Sequence, residues 1–198
     1  QWWTVSGGAR HYVEKITAGI RDKRLNTPVR RIERDARGVS ISTDSGTERF
    51  DKLVLATHSD QALALLGGHA TVRERQLLGA IRYQPNHAVL HTDTAVLPSR
   101  RSAWAAWNYE ASSASASAAS HNTSRVCLHY LINRLQPVPF SQPVVVSLNP
   151  VHAIADDQVL GRFDYAHPVF DLAAIRAQAE IPALQGHGHT YFAGAWMG

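Results

Sequence analysis

The residues of this chain that could do chemistry most directly are its eleven histidines and its single cysteine, Cys127. His187 and His189 form an H-x-H pair, one of the short patterns that can bind a metal ion. Neither a carboxylate nor a cysteine lies near this pair at ligand spacing, so we predict a solvated loop and no metal site. Cys127 lies in the apolar, strand-like segment 125–130 and is predicted to be a free core thiol, since one cysteine cannot form a disulfide within the chain.

The sequence carries no signature of an activated serine nucleophile. The pattern G-x-S-x-G does not occur, and Ser6-Gly7-Gly8 lacks the strand-to-helix turn that exposes such a serine. The stretch 111–120 is rich in serine and alanine, has no hydrophobic period, and is predicted to be a surface loop between two strands. A serine hydrolase is therefore not favoured, and no catalytic residue is assigned.

Aromatic and amide side chains of the central segment are better candidates for a binding site. Six of them stand in strand-like stretches: Trp104, Trp107, Asn108, Tyr109, Tyr130 and Asn133. Of these, we predict that Trp107, Tyr130 and Asn133 bind a small-molecule substrate. A strand over 103–109 would place Trp104 and Trp107 on opposite faces, so at most one of them can face a given cavity. The alternatives are core packing for the rings and hydrogen bonds to backbone groups for the amides.

Two apolar segments end in small residues that would let a backbone approach a bulky ligand. Residues 53–56 form a continuous apolar run, predicted to be a strand buried on both faces, and Thr57 follows it. Residues 190–193 form a second strand, which enters the turn Gly194-Ala195. The carboxyl ends of such strands are where open α/β sheets bind ligands. The alternative is that these strands simply pack a sheet.

Local patterns predict the elements that position these groups. Residues 9–21 predict a helix whose buried stripe is Tyr12, Val13, Ile16 and Ile20. Strands are predicted at 29–33, 38–43 and 47–50 as an antiparallel meander, and at 88–92, 103–109, 126–133, 144–148 and 159–165. Further helices are predicted near 62–66, 72–78 and 171–179. The fold class is α+β: a mostly antiparallel mixed sheet of about five to seven strands flanked by helices, with the small β-meander and two further strands.

Taken in order, several stretches resemble the flavin-dependent amine-oxidase-like oxidoreductases, specifically the bacterial group of predicted NAD/FAD-binding proteins. They are WTVSGGARHYV (3–13), VLATHSDQAL (54–63), AIRYQPN (80–86), WAAWNY (104–109), NRLQ (133–136), VSLNP (146–150), YAHPVFD (165–171) and FAGAW (192–196). The resemblance runs nearly end to end. It implies an FAD-binding domain interrupted by a substrate-binding domain, with a partial FAD-binding domain over 1–60, the substrate-binding domain over 61–185 and a return strand over 186–198.

The resemblance also implies cofactor contacts and an activity. Val29 would meet the adenine through its backbone, Ala56 and Thr57 would pass close to the dinucleotide, and the turn Gly194-Ala195 would lie near the pyrophosphate and the flavin. The chain would supply mainly the substrate-binding part of an oxidoreductase that transfers a hydride to FAD. The alternatives are a flavin-dependent desaturase or isomerase of a lipid or polyene, and a non-enzymatic binding domain.

The sequence departs from the family pattern at the cofactor. It contains no G-x-G-x-x-G fingerprint, which seats the pyrophosphate on a helix N-terminus, and it lacks the family's turn and helix beyond Gly198. The chain therefore looks like a fragment, and we expect it to bind FAD weakly or not at all, and to be inactive, by itself.

Composition limits the remaining classes. Of 198 residues, 44% are hydrophobic and 18% are charged, as in an ordinary globular protein. The net charge of +4 is spread without a continuous basic face, which argues against a nucleic-acid partner. No apolar run reaches the roughly 20 residues of a membrane-spanning helix, and the sparing use of cysteine fits a cytoplasmic location. The oligomeric state is not predicted.

Overall fold

A computed structural model of the protein describes residues 3–110 and 127–198. The predicted loop 111–120 therefore lies outside the described residues. The chain divides into two compact units, the first made of Gln1–Arg21 and Pro85–Ala166 and the second of Asp22–Gln84 and His167–Gly198. These bounds differ from the three predicted segments, which are defined by their expected part in FAD or substrate binding. That assignment of roles stays a prediction.

The described residues form ten strands and five helices. The strands are β1 (Val29–Asp35), β2 (Gly38–Thr43), β3 (Gly46–Phe50), β4 (Leu53–Leu55), β5 (Arg82–His91), β6 (Trp107–Glu110), β7 (Cys127–Leu131), β8 (Val145–Leu148), β9 (Val159–Val169) and β10 (Thr190–Phe192). The helices are α1 (Arg10–Thr17), α2 (Ser59–Leu66), α3 (Val72–Gly79), α4 (Ile132–Leu135) and α5 (Leu172–Glu180). The predicted α+β class is confirmed.

The second unit contains the predicted meander, because β1, β2 and β3 form a three-stranded antiparallel sheet in that order. The turn between β1 and β2 depends on Gly38, whose positive φ of 144° is rarely adopted by other residues. A Cβ at this position would also collide with the carbonyl oxygen of Phe50. The turn thus fixes where β2 meets β3.

Three helices close the core of this unit, and two of them begin where local signals place them. Asp171 caps α5 by accepting a hydrogen bond from the Ala174 amide at 2.9 Å. Thr71 and Glu74 form a reciprocal capping box at the start of α3. The buried core is apolar: Ile32, Val39, Leu55, Ala62, Leu66, Ala70, Leu77, Leu78, Ile81, Ala174, Ala177, Ile181, Leu184, Phe192 and Trp196.

One buried ion pair joins the meander to α3. Arg34 of β1 donates two hydrogen bonds of 2.6 and 2.7 Å to the Glu74 carboxylate. Only 1% of the Glu74 side chain is exposed. The remaining carboxylate capacity is used by the Thr71 amide at 2.7 Å. Burial raises the pKa of Glu74, but the bonds to Arg34 and Thr71 outweigh it and hold that pKa below its usual value.

The first unit contains an antiparallel sheet with strand order β6-β7-β8-β5-β9. Its apolar core is small and consists of Leu97, Leu131 and Val145, with Val96 and Trp104 packed against them. The prediction of one strand over 103–109 is wrong at its start, since β6 begins at Trp107. Trp104 lies before it, where its indole donates a hydrogen bond to the Pro98 carbonyl at 2.7 Å. The alternation argument for Trp104 and Trp107 therefore does not apply.

The predicted burial of the first helix is also wrong. Helix α1 ends at Thr17, short of the predicted end at residue 21, and none of its residues is buried. Tyr12, Val13 and Ile16 are 47%, 46% and 69% exposed. The helical period was sound, but a period identifies only which residues share a face. It does not supply a surface to cover that face.

The Arg34–Glu74 pair makes a stability prediction. We expect Glu74→Gln to lower the free energy of unfolding by about 3 kcal/mol, because it leaves the buried Arg34 charge without its counter-ion. Urea denaturation measures this loss. The matched control is Glu48→Gln, which removes an exposed pair with Arg24 and should lower the free energy of unfolding far less, because water screens that pair. Equal losses in the two variants would contradict the prediction.

The same pair predicts a pH dependence. Because the folded pKa of Glu74 is depressed, the pair contributes stability above the unfolded pKa of about 4.3, and this contribution is lost as the pH falls through the folded pKa. Urea denaturation at decreasing pH should therefore show the unfolding free energies of wild type and Glu74→Gln converging as the pH falls through the folded pKa of Glu74.

Candidate functional site

The second unit contains an apolar cavity of about 550 Å³ beside β4. Its lining comes from β1, β2, β4, the turn after β4 and α2: Val29, Ile32, Ile41, Leu53, Val54, Leu55, Ala56, Thr57, Gln61, Ala64 and Leu65. Three residues predicted to bind a cofactor, Val29, Ala56 and Thr57, thus share one cavity although 28 residues separate the first from the last. Whether they bind a cofactor stays a prediction.

The other two predicted cofactor residues follow the parallel neighbour of β4. Strand β10 pairs with β4 so that Leu55 lies opposite Phe192. The pairing continues past both strands, since the Ala193 amide donates to the Leu55 carbonyl and the Trp196 indole donates to the Thr57 carbonyl, each at 2.9 Å. Gly194 and Ala195 therefore lie between two anchored residues, next to the turn after β4, but they do not line the cavity.

Strand β4 is not buried on both faces as predicted, because Val54 is 60% exposed. Among the described residues β4 pairs only with β10, so the other edge of β4 is unpaired. Val54 lines the cavity together with its neighbours Leu53 and Leu55. The apolar run 53–56, predicted to be buried on both faces, instead forms part of the apolar cavity wall.

The polar groups at the edge of this cavity are already hydrogen-bonded. Gln61 accepts from the His58 amide at 3.2 Å, and the Thr57 hydroxyl donates to the His58 carbonyl at 3.1 Å. The His58 ring stacks on Tyr83 with a centroid distance of 4.3 Å. None of the described residues that line the cavity is charged. Its chemistry suits a flat, uncharged ring held by apolar contact rather than a phosphate.

A second cavity, of about 530 Å³, lies in the first unit. It is lined by Trp3, Thr4, Ala105, Ala106, Trp107, Arg134 and Leu135. Trp107 packs edge-to-face on Tyr130, with ring centroids 6.0 Å apart, because β6 and β7 place these two residues directly opposite each other. The structure thus brings two of the three predicted substrate-binding residues together, one of them on a cavity wall.

The side chains of Asn108 and Asn133 form hydrogen bonds with backbone groups. Asn133 accepts a hydrogen bond from the Val144 amide at 2.8 Å and donates to the Gln142 carbonyl at 2.9 Å. Asn108 bonds both the amide and the carbonyl of Ala105. The amide of Asn133 is therefore occupied in holding the segment before β8, and a substrate contact would have to compete with those bonds.

A strip of polar side chains that the sequence did not predict crosses the sheet of the first unit. Glu110, His129, Ser147 and His91 follow one another on β6, β7, β8 and β5, and Cys127 lies beside the first two. All except Glu110 are fully buried or nearly so. Burial raises the pKa of the Cys127 thiol, and the Glu110 carboxylate raises it further, against a backbone hydrogen bond that lowers it. The available signal was C-x-H in a strand, which places both side chains on one face.

The predicted H-x-H pair belongs to the second unit. His187 and His189 lie in a short turn before β10, and His189 Nε2 is 3.4 Å from the Ala36 carbonyl oxygen. Within residues 3–110 and 127–198, the only grouping of three His, Cys or carboxylate ligand atoms is Glu110, Cys127 and His129. The predicted free, buried Cys127 is confirmed.

The sequence model of the family described as flavin containing amine oxidoreductase matches residues 1–197. The chain belongs to this family. The resemblance found in the sequence is thereby confirmed. No curated protein matches the chain.

Solved structures share the fold of this amine oxidoreductase chain. A CLA-producing fatty acid isomerase from P. acnes has a TM-score of 0.63 and 16% identity, with 98% of this chain and 48% of that chain covered. A putrescine oxidase double mutant, redesigned in its cofactor binding, has a TM-score of 0.56 and 13% identity, with 95% and 47% covered. The chain thus spans about half the length of these neighbours.

Among the residues that the structure describes, no helix combines the length and the apolar character needed to cross a bilayer.

The turn after β10 yields a prediction. A Cβ on Gly194 would lie 2.5 Å from Nε1 of Trp196, a side chain that is 2% exposed and hydrogen-bonded to Thr57. We expect Gly194→Ala to lower the free energy of unfolding by about 1–3 kcal/mol, because the indole must shift within a packed core. Chemical denaturation followed by circular dichroism measures the change.

The matched control is Gly68→Ala, since no atom lies within 4 Å of a Cβ at that position. It should change the free energy of unfolding by under about 0.5 kcal/mol. If both glycines tolerate alanine equally, the indole is not held as described.

Proposed function

We propose that this chain is the substrate-binding part, with discontinuous pieces of the FAD-binding part, of an FAD-dependent oxidoreductase. The observation that carries the proposal is the family match over residues 1–197. The intact enzyme would remove a hydride from a C–H bond of a small-molecule substrate. When bound, the flavin supplies the hydride acceptor, and the protein supplies position and a dry environment.

The cavity beside β4 would hold the adenine end of FAD. Its apolar wall and its lack of charge suit an aromatic ring, and Val29, Ala56 and Thr57 all lie on it. The chain has no G-x-G-x-x-G sequence to receive the pyrophosphate. We therefore expect these residues to contribute to a site that other segments complete, and the chain alone to bind FAD weakly.

The cavity beside β6 would receive the substrate. Trp107 and the Tyr130 ring packed on it form a rigid aromatic wall, which orders few rotatable bonds when a ligand binds. Ala105, Ala106 and Leu135 extend this wall with small and apolar groups. These residues favour an apolar substrate.

A second candidate function is the isomerisation or desaturation of a fatty acid. One observation favours it: the same apolar cavity carries Arg134 on its lining, and an arginine binds a carboxylate well. The fatty acid isomerase named above shares the fold over 98% of this chain. An amine substrate would gain nothing from this cation.

We further propose a reducing, cytoplasmic setting for the protein. It is supported by the single, unpaired and buried cysteine.

The cofactor proposal is tested by filling its cavity. Ala64 lines the cavity from the exposed side of α2, so Ala64→Phe should occupy the space without disturbing the core. In the enzyme that includes this chain, we expect this variant to retain at least tenfold less flavin after purification, read from the visible absorbance of oxidised flavin. Gln76→Phe, on the exposed face of α3 and outside the cavity, is the control. Full flavin retention by Ala64→Phe would reject the adenine site.

The two candidate functions are separated by Arg134→Gln. We expect this variant to bind an unsaturated fatty acid about 2- to 5-fold more weakly, because an exposed ion pair contributes up to about 1 kcal/mol. Its KM for a primary amine should not change. In the same enzyme, an amine substrate would bleach the flavin anaerobically, whereas isomerisation would produce conjugated-diene absorbance without net reduction of the flavin. Anaerobic spectra with both substrates therefore decide between them.

A further inference from the structure

The polar strip in the sheet of the first unit contains three groups that could coordinate one ion. The Cys127 sulfur lies 3.5 Å from His129 Nε2 and 3.6 Å from Glu110 Oε2. His129 Nε2 lies 2.9 Å from the same carboxylate oxygen. A thiol, an imidazole nitrogen and a carboxylate oxygen thus form a small triangle on one side of the sheet.

This triangle has nearly the dimensions of one face of a tetrahedral zinc site. Bonds of about 2.3 Å to sulfur and about 2.0–2.2 Å to nitrogen and oxygen place the ligand atoms of such a site about 3.4–3.6 Å apart. The two distances to sulfur agree with this within about 0.1 Å. The nitrogen-to-oxygen distance is shorter by about 0.5 Å, as expected of two groups that share a hydrogen bond. Closing around an ion would require only that this pair spread slightly.

The strand register holds the three side chains in place. Glu110 and Cys127 are direct cross-strand partners in the β6–β7 pair. His129 is two residues beyond Cys127 and so projects from the same face of β7. Because hydrogen-bonded strands carry all three ligands, little order has to be created when an ion binds.

The remaining ring nitrogen of His129 has the support that metal-binding histidines require. Its Nδ1 lies 2.6 Å from the Ser147 hydroxyl, which in turn lies 2.7 Å from Nε2 of His91. A hydrogen bond at Nδ1 fixes the orientation of the ring and leaves Nε2 to face Glu110 and Cys127. Ser147 and His91 are both fully buried, so this arrangement is shielded from water.

We propose that Glu110, Cys127 and His129 bind a divalent transition-metal ion, with Zn²⁺ the best match to the ligand set. The set joins one soft, one intermediate and one hard donor, which suits zinc better than calcium or magnesium. A fourth position remains for water or for His152, whose Nε2 is 3.0 Å from the other Glu110 oxygen and whose side chain is 78% exposed. The ion would cross-link β6 to β7.

Cobalt is the probe, because Co²⁺ occupies zinc sites and is coloured. Cys127 is the only cysteine of the chain, so any sulfur-to-cobalt charge-transfer band must come from it. With the 198-residue chain kept reduced, we expect this band and intense tetrahedral visible bands to saturate at one Co²⁺ per chain. Zn²⁺ should abolish both by displacement. Zn²⁺ should also raise the melting temperature, and a chelator should reverse the rise.

Variants assign the ligands. We expect Cys127→Ser to lose the charge-transfer band, and His129→Gln to bind Co²⁺ at least 100-fold more weakly. Glu110 is partly exposed, so Glu110→Gln can serve if either buried substitution prevents folding, and it should weaken binding at least tenfold. Circular dichroism of each variant verifies the fold. The matched control, His187→Gln with His189→Gln, removes the H-x-H pair and should leave the cobalt spectrum unchanged.

Two results would overturn the proposal. The first is a folded wild-type chain that shows no charge-transfer band in excess Co²⁺, which would mean that the three groups form only a hydrogen-bonded network. The second is cobalt binding that persists in folded Glu110→Gln and His129→Gln but disappears in the control variant. Neither readout involves flavin, so the outcome is independent of the proposed function.

Discussion

The parallel pairing of β4 with β10 is the constraint on which the second unit depends. Leu53 and Thr190 are partners across 137 residues of sequence, and the pair is only three residues long. Two hydrogen bonds beyond the paired residues stabilise this short sheet. The Ala193 amide donates to the carbonyl of residue 55, and the Trp196 indole donates to the carbonyl of residue 57. The bonds also bring both small-residue turns to one edge of the sheet, and β4 forms part of the cavity wall.

The sheet of the first unit carries apolar core residues and buried polar residues on the same strands. Leu131 and Val145 are cross-strand partners in the core, while His129 and Ser147, one step along each face, are partners in the polar strip. A buried polar group is costly unless it is bonded, and here each side chain bonds the next, with His91 Nδ1 left without a partner among the described residues. The same sheet therefore carries an aromatic cavity residue, part of a small core and a polar strip.

Much of the local structure followed from the sequence, because its causes are local. The meander, the start of α5 at Asp171 and the return strand at Thr190 each depend on turn residues, a cap or an apolar run. Burial and partnership were less predictable. The stripe of α1 was correctly periodic yet exposed, and Val54 lies in an apolar run yet lines a cavity.

The candidate sites show the same division. Val29, Ala56 and Thr57 share a cavity, but only the resemblance to a family, and no local pattern, pointed to Val29. The grouping of Glu110 with Cys127 and His129 was missed because it depends on the register of two strands. That register is a long-range property, and one residue of slip would have turned Cys127 and His129 to the opposite face.

The Arg34–Glu74 pair has a further consequence for how the second unit opens. A fluctuation that lifted the meander from α3 would expose apolar surface and also strand a charged carboxylate with its backbone partner at Thr71. Such partial opening loses the ion pair together with apolar contacts, so the pair couples the opening of the meander to that of the helix. Their most protected amide protons should therefore exchange with deuterium at a common, slow rate, as parts of a single cooperative unit.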